Sequence, residues 1–171
     1  HCHDWHAGLI PSYVDELAVI KSYHYTKTLL TIHNLANQGI TPRTILKKLD
    51  LVPDITPYLM EDYYDHDGEV LNLMKLGILS ADLVNTVSPN YAKEILTKQY
   101  GAGLQSYLKR RKGDLYGIVN GINLKFFNPA TDKFIAKKYT TSSWKVGKAI
   151  NKEKLQAELR LPKSKVPVYG L

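Results

Sequence analysis

One cysteine, Cys2, stands in 171 residues, so no internal disulfide can form and a stapled secreted scaffold is excluded. No apolar run approaches the ~20 residues that carry a helix across a bilayer. The chain also lacks a phosphate-loop motif and the Gly-x-Ser-x-Gly turn of a serine nucleophile. It has no initiator Met and no basic-then-apolar leader, and opens on His1-Cys2-His3-Asp4-Trp5-His6. A soluble piece of a longer chain is expected. The composition, 44% hydrophobic and 23% charged, excludes disordered and fibrous classes. The length suits one domain plus part of another.

Charge is unevenly divided. Residues 1–92 hold 6 Lys/Arg against 11 Asp/Glu, a balance of −5, and residues 93–171 hold 17 against 5, a balance of +12. The basic half, with Lys109-Arg110-Arg111-Lys112 as its densest run, fits a nucleic-acid surface, a phosphate-attracting face or a solvated face equally well.

Short apolar runs alternate with amphipathic stretches. Residues 9–20 carry a helical period, and Thr28 to Ile32 reads as a strand buried on both faces that ends in His33-Asn34. Residues 36–68 read as a long excursion with a short helix near 41–49, capped by Thr41 with Pro42 at its first position. Helical spacing returns over 69–81, and residues 83–87 form a second buried strand. Ser88 and Pro89 predict a capped helix start, running to about Thr97. Further helices are predicted over 104–111 and 143–159. Strands are predicted over 115–119 and 166–171, and a turn over 128–132. Strand–helix alternation with long crossovers implies an α/β fold, a Rossmann-like parallel sheet with flanking helices.

His1, Cys2, His3, Asp4 and His6 are metal-ligating residue types. On an extended segment, however, neighbouring side chains face opposite ways, and no second Cys/His cluster follows, so no metal and no cofactor are expected. Asp4 and His6, at the end of a parallel strand, can hydrogen-bond sugar hydroxyls. Asp4 can equally cap the turn that begins at Trp5. His33-Asn34 forms a similar pair after the next strand. Gly101-Ala102-Gly103 lacks the strand and third glycine of a dinucleotide fingerprint, yet can still offer backbone N–H groups to an anion or sugar. Tyr100 is a candidate stacking residue beside it.

In order, His3-Asp4-Trp5-His6-Ala7-Gly8-Leu9, Thr31-Ile32-His33-Asn34-Leu35-Ala36-Asn37-Gln38-Gly39, Leu73 to Asp82, Val87 to Ile95, Tyr100 to Leu104, Gly117 to Ile122 and Asn128 to Asp132 resemble bacterial glycogen synthases and plant starch synthases. Asn151-Lys152 and Leu155-Gln156 extend the likeness. The resemblance implies a two-domain glycosyltransferase B fold. Residues 1–132 would be the C-terminal part of the N-terminal, acceptor-facing domain, and 133–171 the linker helix and first strand of the nucleotide-binding domain.

It further implies a cytoplasmic, retaining glucosyltransferase that moves glucose from ADP-glucose to the non-reducing end of an α-1,4-glucan, without nucleic-acid or membrane partners. His6 matches the family's histidine near the donor glucose. Asn34, Asn120 and Gly121 match loops lining the cleft, and Tyr100, Gly101 and Gly103 lie towards the acceptor, with Asp4 a further binding residue. Asn123 stands where the family commonly has aspartate. The family's phosphate-binding Lys-x-Gly-Gly loop and its second-domain lysine and glutamate have no counterpart in the sequence, so the 171 residues alone are expected to be inactive. The alternatives are another two-domain nucleotide-sugar glycosyltransferase, or a non-catalytic glucan- or nucleic-acid-binding domain.

Overall fold

The computed structural model describes residues 1–19, 25–42, 44–48, 64–65 and 70–170. They form two compact units, His1–Asn120 and Gly121–Leu171. This division falls before the boundary at residue 132 expected from the sequence. No helix among the described residues is long and apolar enough to cross a membrane.

In chain order the first unit contains β1 (Cys2–His3), a 3-10 turn (Trp5–Ala7), α1 (Ile10–Val19), β2 (Leu29–Ile32), β3 (Ile40–Pro42) and α2 (Ile45–Lys48). There follow β4 (Tyr64–Asp65), β5 (Val70–Asn72), α3 (Leu73–Ser80), β6 (Leu83–Thr86), α4 (Pro89–Glu94), α5 (Gln105–Arg110) and β7 (Leu115–Gly117). The main sheet runs β1-β2-β6-β7 and every pair in it is parallel. Leu30 pairs with Val84 and Val84 with Leu115. Leu30, Ile32, Val84, Met74, Ile78, Ile95 and Leu108 are all fully buried in one core. Each such side chain contributes about 1.5–3 kcal/mol relative to exposure. Near-continuous apolar strands are what a sheet covered on both faces requires.

Two expected helices start later than expected, at Ile45 and Leu73, because the residues before them are drawn into strands. Val70 to Asn72 is extended and pairs antiparallel with β3 and β4 in a second, three-stranded sheet. The helix starts only at Leu73, where the Asn72 side chain accepts the Lys75 amide. Thr41 and Pro42 pair with Leu71 and Val70 instead of opening a helix. Pro42 is tolerated because β3 is an edge strand. The rest of the expected excursion, residues 43, 49–63 and 66–69, lies outside the described residues. The Ser88 cap forms as expected, its hydroxyl accepting the Tyr91 amide with Pro89 at the first helical position. The helix it opens closes at Glu94 rather than near Thr97. β7 stops at Gly117 rather than Val119, because its partner β6 ends at Thr86 and the chain turns away at Ser88-Pro89.

The carboxyl end of α3 is closed by a side chain from another helix end. Arg111 Nη1 donates to the carbonyls of Ile78 and Leu79, and Nη2 to those of Ala81 and Asp82, at 2.6–3.1 Å. These carbonyls lie at and just beyond the helix end, where the last turn has no intrahelical donors left.

In the second unit, α6 (Trp144–Glu158) is the single helix among the described residues. Asn151 exchanges two hydrogen bonds with the backbone of Lys137 at 2.7 and 2.8 Å. Gln156, 4% exposed, donates to the carbonyls of Pro162 and Ser164. The expected turn at 128–132 is present, with Asn128 Oδ1 accepting the Ala130 amide. The expected strand at 166–171 is not. Residues 166–170 are unladdered, since no extended segment of this unit lies beside them, and Leu171 lies outside the described residues.

Candidate functional site

Because the main sheet is parallel, its strands deliver their carboxyl ends to one edge. In open α/β sheets this is where ligands bind. β1 runs into Asp4, β2 into His33-Asn34, β6 into Val87-Ser88 and β7 into Ile118.

Asp4 does not cap the turn that follows it. Its Oδ1 instead accepts the amides of His33 at 2.7 Å and Asn34 at 3.3 Å, while its own amide donates to the Thr31 carbonyl. It does so at φ 53 and ψ −169, a region close to glycine-only that costs of order 1–3 kcal/mol. The strain buys a fixed loop: two strand ends are tied by a carboxylate. Asn34 completes that loop with an Asx turn, Oδ1 accepting the Ala36 amide at 3.0 Å. Its carbonyl oxygen is thereby engaged, and the amide Nδ2 is the group it can offer a ligand.

His6 is exposed, and its ring stacks on Trp5 with centroids 3.8 Å apart and planes at 25°. Trp5 packs on the core below. Gly39, at φ +62, closes over the indole so tightly that a Cβ there would sit 2.3 Å from Cε3. The imidazole therefore rests on a fixed aromatic platform rather than on a free loop.

Gln38 ties in the Gly101–Gly103 turn. Its Nε2 donates to the Ala102 carbonyl at 2.7 Å, its Oε1 accepts from Asn72 Nδ2 at 2.6 Å, and its carbonyl accepts the Met74 amide. Ala102 and Gly103 are both left-handed, at φ 47 and 86, and a Cβ on Gly103 would meet nothing within 4 Å. Tyr100 is 49% exposed. Sequence reasoning missed Gln38; its signal was a polar side chain closing the quoted Thr31–Gly39 motif.

Asp4 and Asn34 are thus brought together directly, His6 stands on the turn between β1 and α1, and Tyr100, Gly101 and Gly103 are joined to the same loop system through Gln38. Asn120 follows β7 on the same sheet edge and is exposed, without a hydrogen bond to the others, while Gly121 opens the second unit. The opening string makes no chelating cluster. Cys2 turns into the core, where burial pushes its thiol pKa up, and among the described residues no three His, Cys, Asp or Glu side chains converge to hold a metal ion. Within the basic run, Arg111 is committed to closing α3.

A starch synthase catalytic domain profile matches residues 1–110. A glycogen synthase of Thermodesulfovibrio yellowstonii is 50% identical over 140 residues, 81% of this chain and 27% of that protein. One from Francisella philomiragia is 41% identical over 172 residues, all of this chain and 35% of the relative. The catalytic domain of starch synthase IV from Arabidopsis thaliana, solved bound to ADP and acarbose, superposes with a TM-score of 0.73 at 31% identity, covering 97% of this chain and 34% of that one. The chain spans about a third of the length of these relatives. Its four-stranded parallel sheet with flanking helices is that of a glycosyltransferase B catalytic domain. With the profile covering more than half of its residues, the chain belongs to the starch synthase catalytic domain family.

Proposed function

We propose that this chain is the acceptor-facing part of a cytoplasmic, retaining glucosyltransferase that moves glucose from ADP-glucose to the non-reducing end of an α-1,4-glucan. On this reading residues 1–132 complete the N-terminal domain and 133–171 open the nucleotide-binding domain. The observation that carries it is His6, an exposed imidazole locked on Trp5 at the carboxyl edge of the sheet, within a chain whose relatives are named glycogen synthases. The starch synthase IV relative, bound to ADP and acarbose, supports a nucleotide donor and a saccharide acceptor.

The chemistry suits what the residues offer. Retaining transfer along the donor's front face needs positioning and charge stabilisation rather than a protein nucleophile, and the buried Cys2 supplies none. His6 bonds a donor-glucose hydroxyl, and its backbone carbonyl steadies developing oxocarbenium charge. Asn34 and Asn120 offer amide groups to sugar hydroxyls. Asp4 acts through the loop it holds. Gly103 lets backbone approach the acceptor closely, and Tyr100 gives it a stacking face.

The test is incorporation of labelled glucose from ADP-glucose into glycogen by a full-length protein carrying this chain. His6→Ala lowers kcat by roughly a hundredfold with an unchanged melting curve. Wild-type turnover in that variant would overturn the assignment of His6, and failure of the parent protein to use ADP-glucose would overturn the donor. The 171 residues alone transfer no glucose, and transfer by them would overturn the division of labour between the two domains.

A further inference from the structure

Three histidines outside the sugar-transfer residues gather where β1 and β2 end. His3 pairs with Thr31 in the parallel ladder, and alternation along a strand puts His1 with His3, and Thr31 with His33, on one face. The contacts follow that pattern. His1 Nε2 lies 2.6 Å from Thr31 Oγ1, and His3 Nδ1 lies 2.9 Å from His33 Nε2. Thr31 Oγ1 gives its proton to Asn85 Oδ1, so it accepts from His1, which fixes that ring's orientation. His1 in turn lies against His3 at 4.2 Å between centroids, and His3 against His33 at 5.2 Å.

His3 and His33 are both exposed and neither touches the core, so packing does not account for the pair. Two imidazole nitrogens this close converge on one proton, and that is also how two ligands converge on one metal ion. Zinc–nitrogen bonds of 2.0–2.1 Å in a tetrahedral shell separate neighbouring nitrogens by about 3.4 Å. The observed 2.9 Å therefore needs an opening of about half an ångström, small for two exposed side chains. The anchoring that orients metal-bound histidines is already built in. The ladder fixes His3, and the Asp4 carboxylate fixes the His33 amide at 2.7 Å and adds negative charge nearby.

We propose that His3 and His33 form a two-imidazole site for a divalent late first-row transition ion, with zinc as the probe ion, which bridges the ends of β1 and β2 and keeps water in its remaining positions. On binding, the ion accepts one lone pair from each nitrogen, and the proton that lay between them moves through solvent to the far nitrogen of its own ring, so that both imidazoles stay neutral. The site is independent of the glucosyltransferase reading.

The test is calorimetric titration of zinc into a full-length protein carrying this chain. Imidazole nitrogen NMR is followed in parallel. One ion binds per chain with the His3 and His33 resonances perturbed; His33→Gln and His3→Ala abolish the transition, and His6→Ala keeps it. Absence of binding, or binding that persists in His33→Gln, would overturn the proposal. Should a variant fail to fold, the wild-type resonances decide: a zinc-dependent shift confined to other histidines is equally fatal.

Discussion

Asp4 and His33 lock the ends of two neighbouring strands together, the Asp4 carboxylate accepting the His33 amide at 2.7 Å from a backbone forced to φ 53. A strained aspartate holding a loop at a ligand-binding edge makes this the point where stability is given up for geometry. Asp4→Ala keeps the strain and leaves two amides without their acceptor. It is expected to destabilise the chain by about 1–3 kcal/mol. Asp4→Asn retains an acceptor oxygen at the same place, so it is expected to cost less than half as much. Urea unfolding followed by circular dichroism separates the two, and equal losses would show that the carboxylate's charge, not its acceptor geometry, matters.

Gly8 and Gly77 mark where α3 meets the turn after β1. A Cβ on Gly8 would lie 2.0 Å from the Leu73 carbonyl oxygen, and one on Gly77 3.0 Å from the Gly8 Cα. Gly8 has ordinary helical angles, so space and not conformation demands glycine there. Gly8→Ala is expected to cost about 3 kcal/mol or more through backbone displacement. At Gly77 the milder clash is offset by the roughly 1 kcal/mol that alanine gains over glycine inside a helix. Gly77→Ala is therefore expected to leave stability within about 1 kcal/mol of the parent, with thermal melting as the check.

Arg111 is a case where lysine is no substitute. Its planar fork reaches the carbonyls of Ile78, Leu79, Ala81 and Asp82 together, and a single ammonium cannot span that set. Arg111→Lys is expected to lose about 2–3 kcal/mol, while Lys109→Ala on the same basic run changes stability by less than about 0.5 kcal/mol. Denaturant midpoints for the two variants test the contrast. An Arg111→Lys variant as stable as the parent would mean that charge alone, and not the planar fork, closes the helix end.

The parallel sheet was legible because Leu29–Ile32 and Leu83–Thr86 are apolar runs that only a doubly covered strand can bury, and Ser88-Pro89 announces its helix chemically. Other features depend on partners far away in sequence. Val70 and Leu71 fit a helical period as well as a strand, and β3 and β4 decide the matter. Thr41-Pro42 has the chemistry of a helix start, but edge pairing with Leu71 and Val70 overrides it. The site was half legible for the same reason. His6 and Asn34 are placed by their strand ends, whereas the hydrogen-bond partners of Asp4 and Gln38 lie 29 and 64 residues further along the chain. The Lys109–Lys112 run suggested a surface, yet one of its members is the internal cap of α3.

Asp82 and Asp15 give opposite acid responses. Burial pushes the Asp82 carboxyl up, but hydrogen bonds from Lys27 Nζ at 2.8 Å and from the Thr28 amide and hydroxyl at 2.7 and 3.0 Å outweigh it and hold the group below its ordinary 3.8. A carboxyl lowered by folding stabilises above its ordinary value, and that contribution is lost as pH falls through the lowered one. Asp15 is raised instead, by burial first and by the nearby Asp82 charge second, with Lys27 opposing. It favours the folded state while protonated and opposes it once ionised. Asp82→Asn is therefore expected to be less stable than the parent at pH 7, with the deficit shrinking below about pH 4. Asp15→Asn is expected to be slightly more stable at pH 7 and indistinguishable from the parent in acid. Urea midpoints at pH 7 and pH 3 read both signs, and an Asp82→Asn deficit undiminished between pH 7 and pH 3 would assign the loss to altered packing rather than to the carboxylate's hydrogen bonds.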